Sequence, residues 1–254
     1  MPLHMEMSVA EVTPEKGNQM SDYILVLDEG TTSTRAMLFA SDGVFVASAQ
    51  KELTQHYPQS GWVEHDASEI WEKTLACANE VIPKAGGAAC IAGIGITNQR
   101  ETVVAWDKTT GEPLTKAIVW QDRRTEPFCA QLREAGHEAD VQAKTGLLLD
   151  PYFSGTKMRW MLDNVAEVKA AADAGTLAFG TVESWLVYKL TGGASHSTDA
   201  SNASRTLLMG LEDAQFSEEL CALFSVPKET LPTVTDMSGA LAETDAALFG
   251  REIP

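Results

Sequence analysis

The feature that most constrains the fold is a hydroxyl-rich turn placed directly after a short apolar strand. Residues 23–27 form the apolar run, and residues 28–33 read DEGTTS. A second strand is predicted over residues 35–39. The Asp42-Gly43 pair then predicts a hairpin into a third strand over residues 44–49. We therefore expect a sheet that begins with antiparallel hairpin strands.

Strands and helices alternate after the hairpins. Asp66 with Glu69 predicts a capping box for a helix that ends near Pro83. A buried strand is predicted over residues 91–97. The strand at residues 102–106 is predicted to pair back, through a Thr-Gly turn, with residues 118–120. The further predicted helices cover residues 122–135, 154–164, 165–172, 182–190 and 217–224.

This order of elements predicts an α/β domain in which helices flank a mixed sheet. Residues 233–254 are rich in turn residues, and we expect them to have no apolar face of their own. That stretch is typical of an interdomain hinge or of a boundary inside a longer protein. Residues 1–20 lack the basic and apolar regions of a secretory signal and are predicted to be a disordered extension.

Charge and cysteine content exclude several classes of function. Lys and Arg total 19 against 36 Asp and Glu, a net charge of −17, which argues against a nucleic-acid partner. No apolar run is long enough for a membrane span, so no membrane association is predicted. The four cysteines are scattered without C-x-x-C spacing, which disfavours zinc and suits a cytoplasmic location.

The turn at residues 28–33 is the first candidate for chemistry. Gly30 permits a tight turn, and the hydroxyls and backbone N–H groups that follow it suit phosphate oxygens. Asp28 suits Mg²⁺ held through water, and Arg35 adds a permanent positive charge. A plain hairpin turn favours the same residue types and explains the run equally well. No G-x-x-x-x-G-K-[ST] phosphate loop is present.

Three later segments are candidates for binding a polyol. Arg100 and Glu101 offer an adjacent donor and acceptor, Trp120 offers an apolar wall, and Tyr152 offers a flat face with a hydroxyl. An exposed charged turn, a core tryptophan and a packed tyrosine are the structural alternatives. Asp122 is a candidate cap for the next helix.

Two other polar features are given only a structural interpretation. Residues 198–206 are predicted to be a loop that fixes its own backbone. His65 has no second histidine at ligand spacing, and no site is assigned to it.

Taken in order, the motifs resemble the glycerol kinases of the FGGY carbohydrate-kinase family. The resemblance covers about residues 23–254 and rests on six segments: residues 28–35, 61–66, 95–101, 117–121, 150–157 and 202–206. Residues 152–164 also fit the family's first signature, with Tyr152, Ser154, Lys157, Trp160 and Asn164 at the expected spacing.

The resemblance implies an actin-like, ribonuclease-H-type fold and transfer of the ATP γ-phosphoryl group to glycerol, with Mg²⁺. It implies that Arg100, Glu101 and Tyr152 bond the glycerol hydroxyls and that Trp120 packs on the carbons. The residues implied to face the nucleotide are Thr31, Thr32, Ser33 and Arg35, with Asp28 near the metal. A homo-oligomer is expected for the intact enzyme.

Two departures from the family pattern bear on function. Glu29 stands where many members have Gln, and we expect it to add negative charge near the phosphates. We expect the family's Gly-Asp-Gln segment, whose Asp is the expected base, to lie beyond Pro254. The ATP-binding second domain is expected there too. The chain alone is therefore expected to be inactive. The alternatives are an FGGY kinase for another polyol or a pentulose, and a stand-alone non-catalytic ligand-binding domain.

Overall fold

The computed structural model describes residues 23–239 and 241–254, and the extension predicted for residues 1–20 lies outside them. The strands of this part are β1 (Tyr23–Glu29), β2 (Ser33–Ala40), β3 (Phe45–Glu52), β4 (Glu64–His65), β5 (Ile91–Asn98), β6 (Val103–Asp107), β7 (Ala117–Ile118), β8 (Leu177–Thr181), β9 (Ser197–Asp199) and β10 (Thr233–Thr235). Its helices are α1 (Ala67–Val81), α2 (Glu126–Glu134), α3 (Glu138–Thr145), α4 (Ser154–Asn164), α5 (Ala166–Asp173), α6 (Val182–Leu190), α7 (Ala200–Ala203), α8 (Glu218–Phe224) and α9 (Ala246–Phe249). None of these helices is long and apolar enough to cross a membrane.

The first sheet has the strand order β3-β2-β1-β5 and contains the predicted hairpins. The hairpin strands pair antiparallel, whereas β1 and β5 run parallel. In this register Asp28 lies between Arg35 of β2 and Thr97 of β5. The carboxyl ends of β1 and β5 therefore meet at one edge of the sheet.

Helix α1 covers one face of this sheet. Leu25 and Leu27 of β1 are fully buried against it because alternate residues of a strand point to the same face. The Asp66 side chain accepts the backbone N–H groups of Ser68 and Glu69, which confirms the predicted helix start. The predicted box is only half formed, because the Glu69 carboxylate bonds Thr54 instead of returning to Asp66.

The second sheet has the order β4-β7-β6-β8 and is buried on both faces. Val103 and Ala105 of β6 pack into one hydrophobic cluster, whereas Val104 and Trp106 pack into another. A strand that is covered on both faces has a continuous run of apolar residues in its sequence, and β6 shows this pattern. The predicted pairing with residues 118–120 is confirmed at one position, Val103↔Ile118, because β7 ends at Ile118.

Helices α4 and α6 have the predicted bounds, but α2 begins four residues later than predicted. The proposed cap, Asp122, is buried in an ion pair with Arg124 at 2.7 Å and accepts the backbone N–H of Val63. Its carboxylate is therefore not free to cap α2, and Thr125 precedes the helix instead. Strand β8 and helix α3 were not predicted.

The prediction that residues 233–254 have no apolar face is wrong. Ile253 is completely buried in the cluster beneath the first sheet, together with Leu190. The backbone N–H of Ile94 in β5 donates to the carbonyl of Pro254 at 2.7 Å. This segment also contributes β10, which pairs parallel with β9.

Candidate functional site

The candidate site forms where the parallel strands β1 and β5 end side by side. The turn after β1 carries Gly30 and Thr31, and the turn after β5 carries Gln99, Arg100 and Glu101. The backbone N–H of Gln99 donates to the carbonyl of Glu29 at 2.6 Å, which ties the two turns together. Ligand clefts of α/β proteins lie at this end of parallel strands.

The turn after β1 is closed by its own backbone. Gly30 N–H donates to the Ser33 carbonyl at 3.0 Å, and a Cβ on Gly30 would lie only 3.1 Å from that oxygen. Arg35 lies on the same face as Asp28, with its Nη1 3.7 Å from the carboxylate. Its Nε and Nη2 bond Gln50, which in turn donates to Ser33 at 3.1 Å. Thr32 is exposed and Thr31 is half-buried.

Glu29 does not lie on the face expected for it. The alternation along β1 directs its side chain to the face covered by α1, opposite to Asp28. There one carboxylate oxygen accepts the hydroxyls of Thr34 and Thr74. The second oxygen has no partner among the described residues. Burial raises the pKa of Glu29 to about 7. The expectation that Glu29 adds negative charge near the phosphates is therefore wrong, because its carboxyl group is enclosed beneath the turn.

The two polar residues after β5 have opposite environments. Arg100 is exposed and forms no side-chain hydrogen bond or ion pair with a described residue. Glu101 is 2 % exposed and has a left-handed backbone, with φ of 64°. A non-glycine residue pays a steric cost in this conformation, which occurs often at functional sites. Glu101 Oε1 accepts Nε of Arg205 at 2.7 Å.

Arg205 is a site residue that the sequence analysis missed. Residues 198–206 were predicted to fix only their own backbone, but Arg205 reaches Glu101 and lies 5.9 Å from the ring centroid of Tyr152. The close approach depends on Gly155, where a Cβ would lie 2.7 Å from the carbonyl of Thr206. No local pattern could have revealed a partner more than a hundred residues away.

Trp120 joins the two turns. Its ring packs edge-on against Tyr152, with the ring centroids 5.5 Å apart. Its indole Nε1 donates to the hydroxyl of Thr31 at 2.9 Å. Its backbone N–H donates to the hydroxyl of Thr102 at 3.2 Å. Trp120 is half-buried, so its ring is not enclosed in the core, which is compatible with the predicted apolar wall.

The loop that carries Tyr152 is held from beneath by a buried lysine. Lys157 of α4 has 0 % exposure, and its Nζ donates to the carbonyls of Pro151, Tyr152 and Phe153. Burial lowers the pKa of Lys157 to about 7. The three carbonyls match the three N–H donors of an ammonium group. The sequence identified Lys157 as part of a motif but gave it no role.

The metal ligand predicted from the sequence, Asp28, is not part of a larger cluster of metal-binding side chains among the described residues. Residues 23–239 and 241–254 contain no cluster of three or more His, Cys, Asp or Glu residues suited to a metal ion. Asp28 is a single carboxylate, about one-third exposed, at the end of β1. One carboxylate suffices for Mg²⁺, which keeps several waters and is often completed by substrate phosphates.

Comparison with known proteins identifies a family for this chain. The model for the FGGY family of carbohydrate kinases, N-terminal domain, matches residues 23–253. A curated glycerol kinase from Rhodopirellula baltica is 56 % identical over 232 residues, covering 91 % of this chain and 43 % of the relative. The chain therefore spans about half the length of the curated relatives it matches.

Solved structures show the same fold. A crystal structure of Plasmodium falciparum glycerol kinase with ADP has a TM-score of 0.87 and 33 % identity. The similarity covers 94 % of this chain and 48 % of that one. A xylulose kinase from Rhodospirillum rubrum has a TM-score of 0.80 and 25 % identity, over 91 % of this chain and 47 % of that one. The predicted actin-like architecture, with mixed sheets flanked by helices, is confirmed.

Proposed function

The chain belongs to the FGGY family of carbohydrate kinases, and on that premise we propose that it forms the glycerol-binding, N-terminal part of a glycerol kinase. The reaction transfers the γ-phosphoryl group of ATP to a terminal hydroxyl of glycerol and gives sn-glycerol 3-phosphate. A bond forms between the glycerol oxygen and phosphorus, the bond from phosphorus to ADP breaks, and the hydroxyl proton passes to a base.

The observation that carries this proposal is the position of Trp120. Its ring makes an edge-to-face contact with the ring of Tyr152, and its indole nitrogen bonds Thr31. One rigid side chain thus lies between the candidate polyol residues and the candidate phosphate turn. Phosphoryl transfer depends mainly on alignment of the two substrates, and such a shared wall supplies it.

Three side chains retain hydrogen-bonding capacity for glycerol. Within residues 23–239 and 241–254, the Arg100 guanidinium and the Tyr152 hydroxyl bond no other side chain or backbone group, and Glu101 Oε2 accepts nothing. They offer donors and an acceptor to adjacent hydroxyls, and Trp120 offers an apolar face to the carbons. A pentulose is the alternative substrate, but the 56 % identity to a glycerol kinase favours glycerol.

The turn after β1 is proposed to receive the nucleotide phosphates. Thr31, Thr32 and Ser33 present hydroxyls there, and Arg35 supplies positive charge beside Asp28. Asp28 would hold Mg²⁺ through water. When bound, Mg²⁺ neutralises the charge of the phosphate oxygens. ATP as the phosphoryl donor is consistent with the ADP in the solved Plasmodium falciparum enzyme.

We infer that the base and the adenine site lie in the half of the relatives' length that this chain does not match. Residues 23–254 are therefore proposed to bind glycerol without transferring phosphate. Homo-oligomerisation of the intact enzyme stays a prediction.

Isothermal titration calorimetry, with glycerol titrated into the purified chain, tests the proposal. We expect saturable binding that is lost in Arg100→Ala and kept in Lys84→Ala, a matched removal of an exposed cation. D-xylulose is titrated in parallel and should bind more weakly. Binding of xylulose in preference to glycerol would contradict the choice of substrate. Binding of neither, in a folded chain, would contradict the polyol site.

A further inference from the structure

His65 lies at the centre of a buried hydrogen-bond network beneath the candidate site. It ends β4 and is 1 % exposed. Its Nε2 is 2.9 Å from Oε1 of Gln55, and its Nδ1 is 3.2 Å from Nε2 of Gln99. A histidine packed only for its bulk would not need a matched polar partner on each ring nitrogen.

Both glutamines extend from His65 to the turn after β1. Nε2 of Gln55 donates to the carbonyl of Thr31 at 2.9 Å. Nε2 of Gln99 donates to the carbonyl of Gly30 at 3.2 Å. Two successive carbonyls of the proposed phosphate turn are therefore fixed through one imidazole.

The network also reaches the polyol residues. Oε1 of Gln99 accepts the hydroxyl of Thr102 at 3.0 Å, and that hydroxyl accepts the backbone N–H of Trp120 at 3.2 Å. Arg100 and Glu101 lie between Gln99 and Thr102 in the chain. Their backbone is consequently anchored at both ends by the network.

The carbonyls of Gly30 and Thr31 determine which atom carries each proton of this network. A carbonyl only accepts, so Gly30 and Thr31 each require the amide nitrogen of a glutamine to face them. Gln99 then also donates to Nδ1 of His65, and Nδ1 must be unprotonated. The remaining proton lies on Nε2 and is donated to Gln55. All donors and acceptors are satisfied by this one neutral tautomer.

The surroundings of His65 favour the neutral imidazole. Burial lowers its pKa to about 4, against the opposing influence of Glu69 and with the help of His56. A proton on Nδ1 would place two donors face to face and would break the bond to Gln99.

We propose that His65 is a positioning residue that holds the phosphate turn and the polyol-binding segment in register through Gln55 and Gln99. This inference rests on the proposed function. It deepens that function by assigning the alignment of the two substrates to a residue that contacts neither of them. His65 is therefore predicted to influence both ligands at once.

Two conservative substitutions separate the two arms of the network. His65→Asn places an amide oxygen near the position of Nδ1 and keeps an acceptor for Gln99. His65→Gln places an amide nitrogen near the position of Nε2 and keeps a donor for Gln55. His65→Leu removes both. Each variant of the full chain is titrated with glycerol and with magnesium pyrophosphate, which probes the phosphate turn without an adenine site, after circular dichroism has shown that the variant is folded.

The expected result is a split between ligands. Loss of one buried hydrogen bond weakens binding by about tenfold. His65→Asn keeps the Gln99 arm and should therefore mainly lose affinity for magnesium pyrophosphate. His65→Gln frees Gln99 from His65, and since Gln99 bonds both Gly30 and Thr102, this variant should lose affinity for both ligands. His65→Leu should also lose affinity for both. Equal changes in all three variants, in proportion to their lost stability, would overturn the proposal. If His65→Leu does not fold, the comparison of Asn with Gln still decides.

A nitrogen-15 NMR spectrum of the wild-type imidazole provides a readout that needs no ligand. At neutral pH we expect the tautomer with its proton on Nε2, and a proton on Nδ1 would overturn the network. If this tautomer is present but the wild type binds neither ligand, the proposed function fails, and with it the positioning role. If the wild type binds both ligands but the variants show no split, only the role of His65 fails.

Discussion

The indole Nε1 of Trp120 donates a hydrogen bond of 2.9 Å to the hydroxyl of Thr31. These residues lie 89 positions apart in the chain. One belongs to the proposed polyol site and the other to the proposed phosphate turn. Their bond makes the relative placement of the two sites a property of this domain alone.

A double-mutant cycle measures that bond. Trp120→Phe and Thr31→Val each remove one partner and keep most of the shape. In urea unfolding we expect a coupling free energy of about 1 kcal/mol between them. The control cycle combines Thr31→Val with Trp185→Phe, whose indole bonds the carbonyl of Ala67 instead. Additivity in both cycles would mean that the bond contributes nothing.

Arg205 should stabilise the fold because its carboxylate partner is buried. Arg205→Met leaves Glu101, 2 % exposed, without its cation, and should destabilise the protein by about 2 kcal/mol. The matched control is Arg159→Met, which breaks an Nε–carboxylate pair whose Asp163 is 49 % exposed. That loss should be below about 0.5 kcal/mol. Equal effects in urea unfolding would refute the importance of burial.

Lys157 should control Tyr152 through the backbone. Lys157→Met removes the donor of three carbonyls, including that of Tyr152 itself. We expect a loss of stability of about 2 kcal/mol and weaker glycerol binding, because unsatisfied buried carbonyls favour another loop conformation. Lys84→Met, at an exposed site, is the control for both calorimetry and unfolding. Full glycerol affinity in a folded Lys157→Met would contradict this role.

Glu29 should make stability depend on pH. Its pKa is raised from 4.5 to about 7 in the folded protein, so between these values the folded state binds more protons than the unfolded state. Stability therefore falls as pH rises through this window. Glu29→Gln removes the penalty and should be more stable than wild type by up to about 3 kcal/mol at pH 8, but not at pH 4.

Urea unfolding across this pH range checks the prediction, with Glu80→Gln as an exposed control. A difference between wild type and Glu29→Gln that does not vary with pH would show that the carboxyl stays ionised when buried.

Local sequence signals predicted most of the first sheet, and they predicted helices α1 and α4, which lie next to the site. The Asp42-Gly43 turn, the Asp66 cap and the apolar run of β1 all act between near neighbours, and the structure has each of them. The alternation of side chains along β1 shows why Glu29 was misplaced. Its role was inferred from its neighbours in sequence, whereas its face of the strand decides what it contacts.

The long-range partners were beyond local patterns. Arg205 meets Glu101, and His65 meets Gln99, through packing of segments that are distant in the chain. Asp122 was predicted to cap a helix, but its buried carboxylate forms an ion pair with Arg124 instead. The role of such a polar residue can be predicted only when its burial and its partners are known.

The most direct test follows the indole of Trp120 by nitrogen-15 NMR, with its resonance assigned by its loss in Trp120→Phe. Glycerol and magnesium pyrophosphate, a probe of the phosphate turn that needs no adenine site, are titrated separately into the full chain. If the polyol site and the phosphate turn share this side chain, both ligands will shift the Trp120 signal, whereas the indole of Trp160, packed on Trp62, will not move. A Trp120 signal that responds to neither ligand, or to only one, would contradict the shared site.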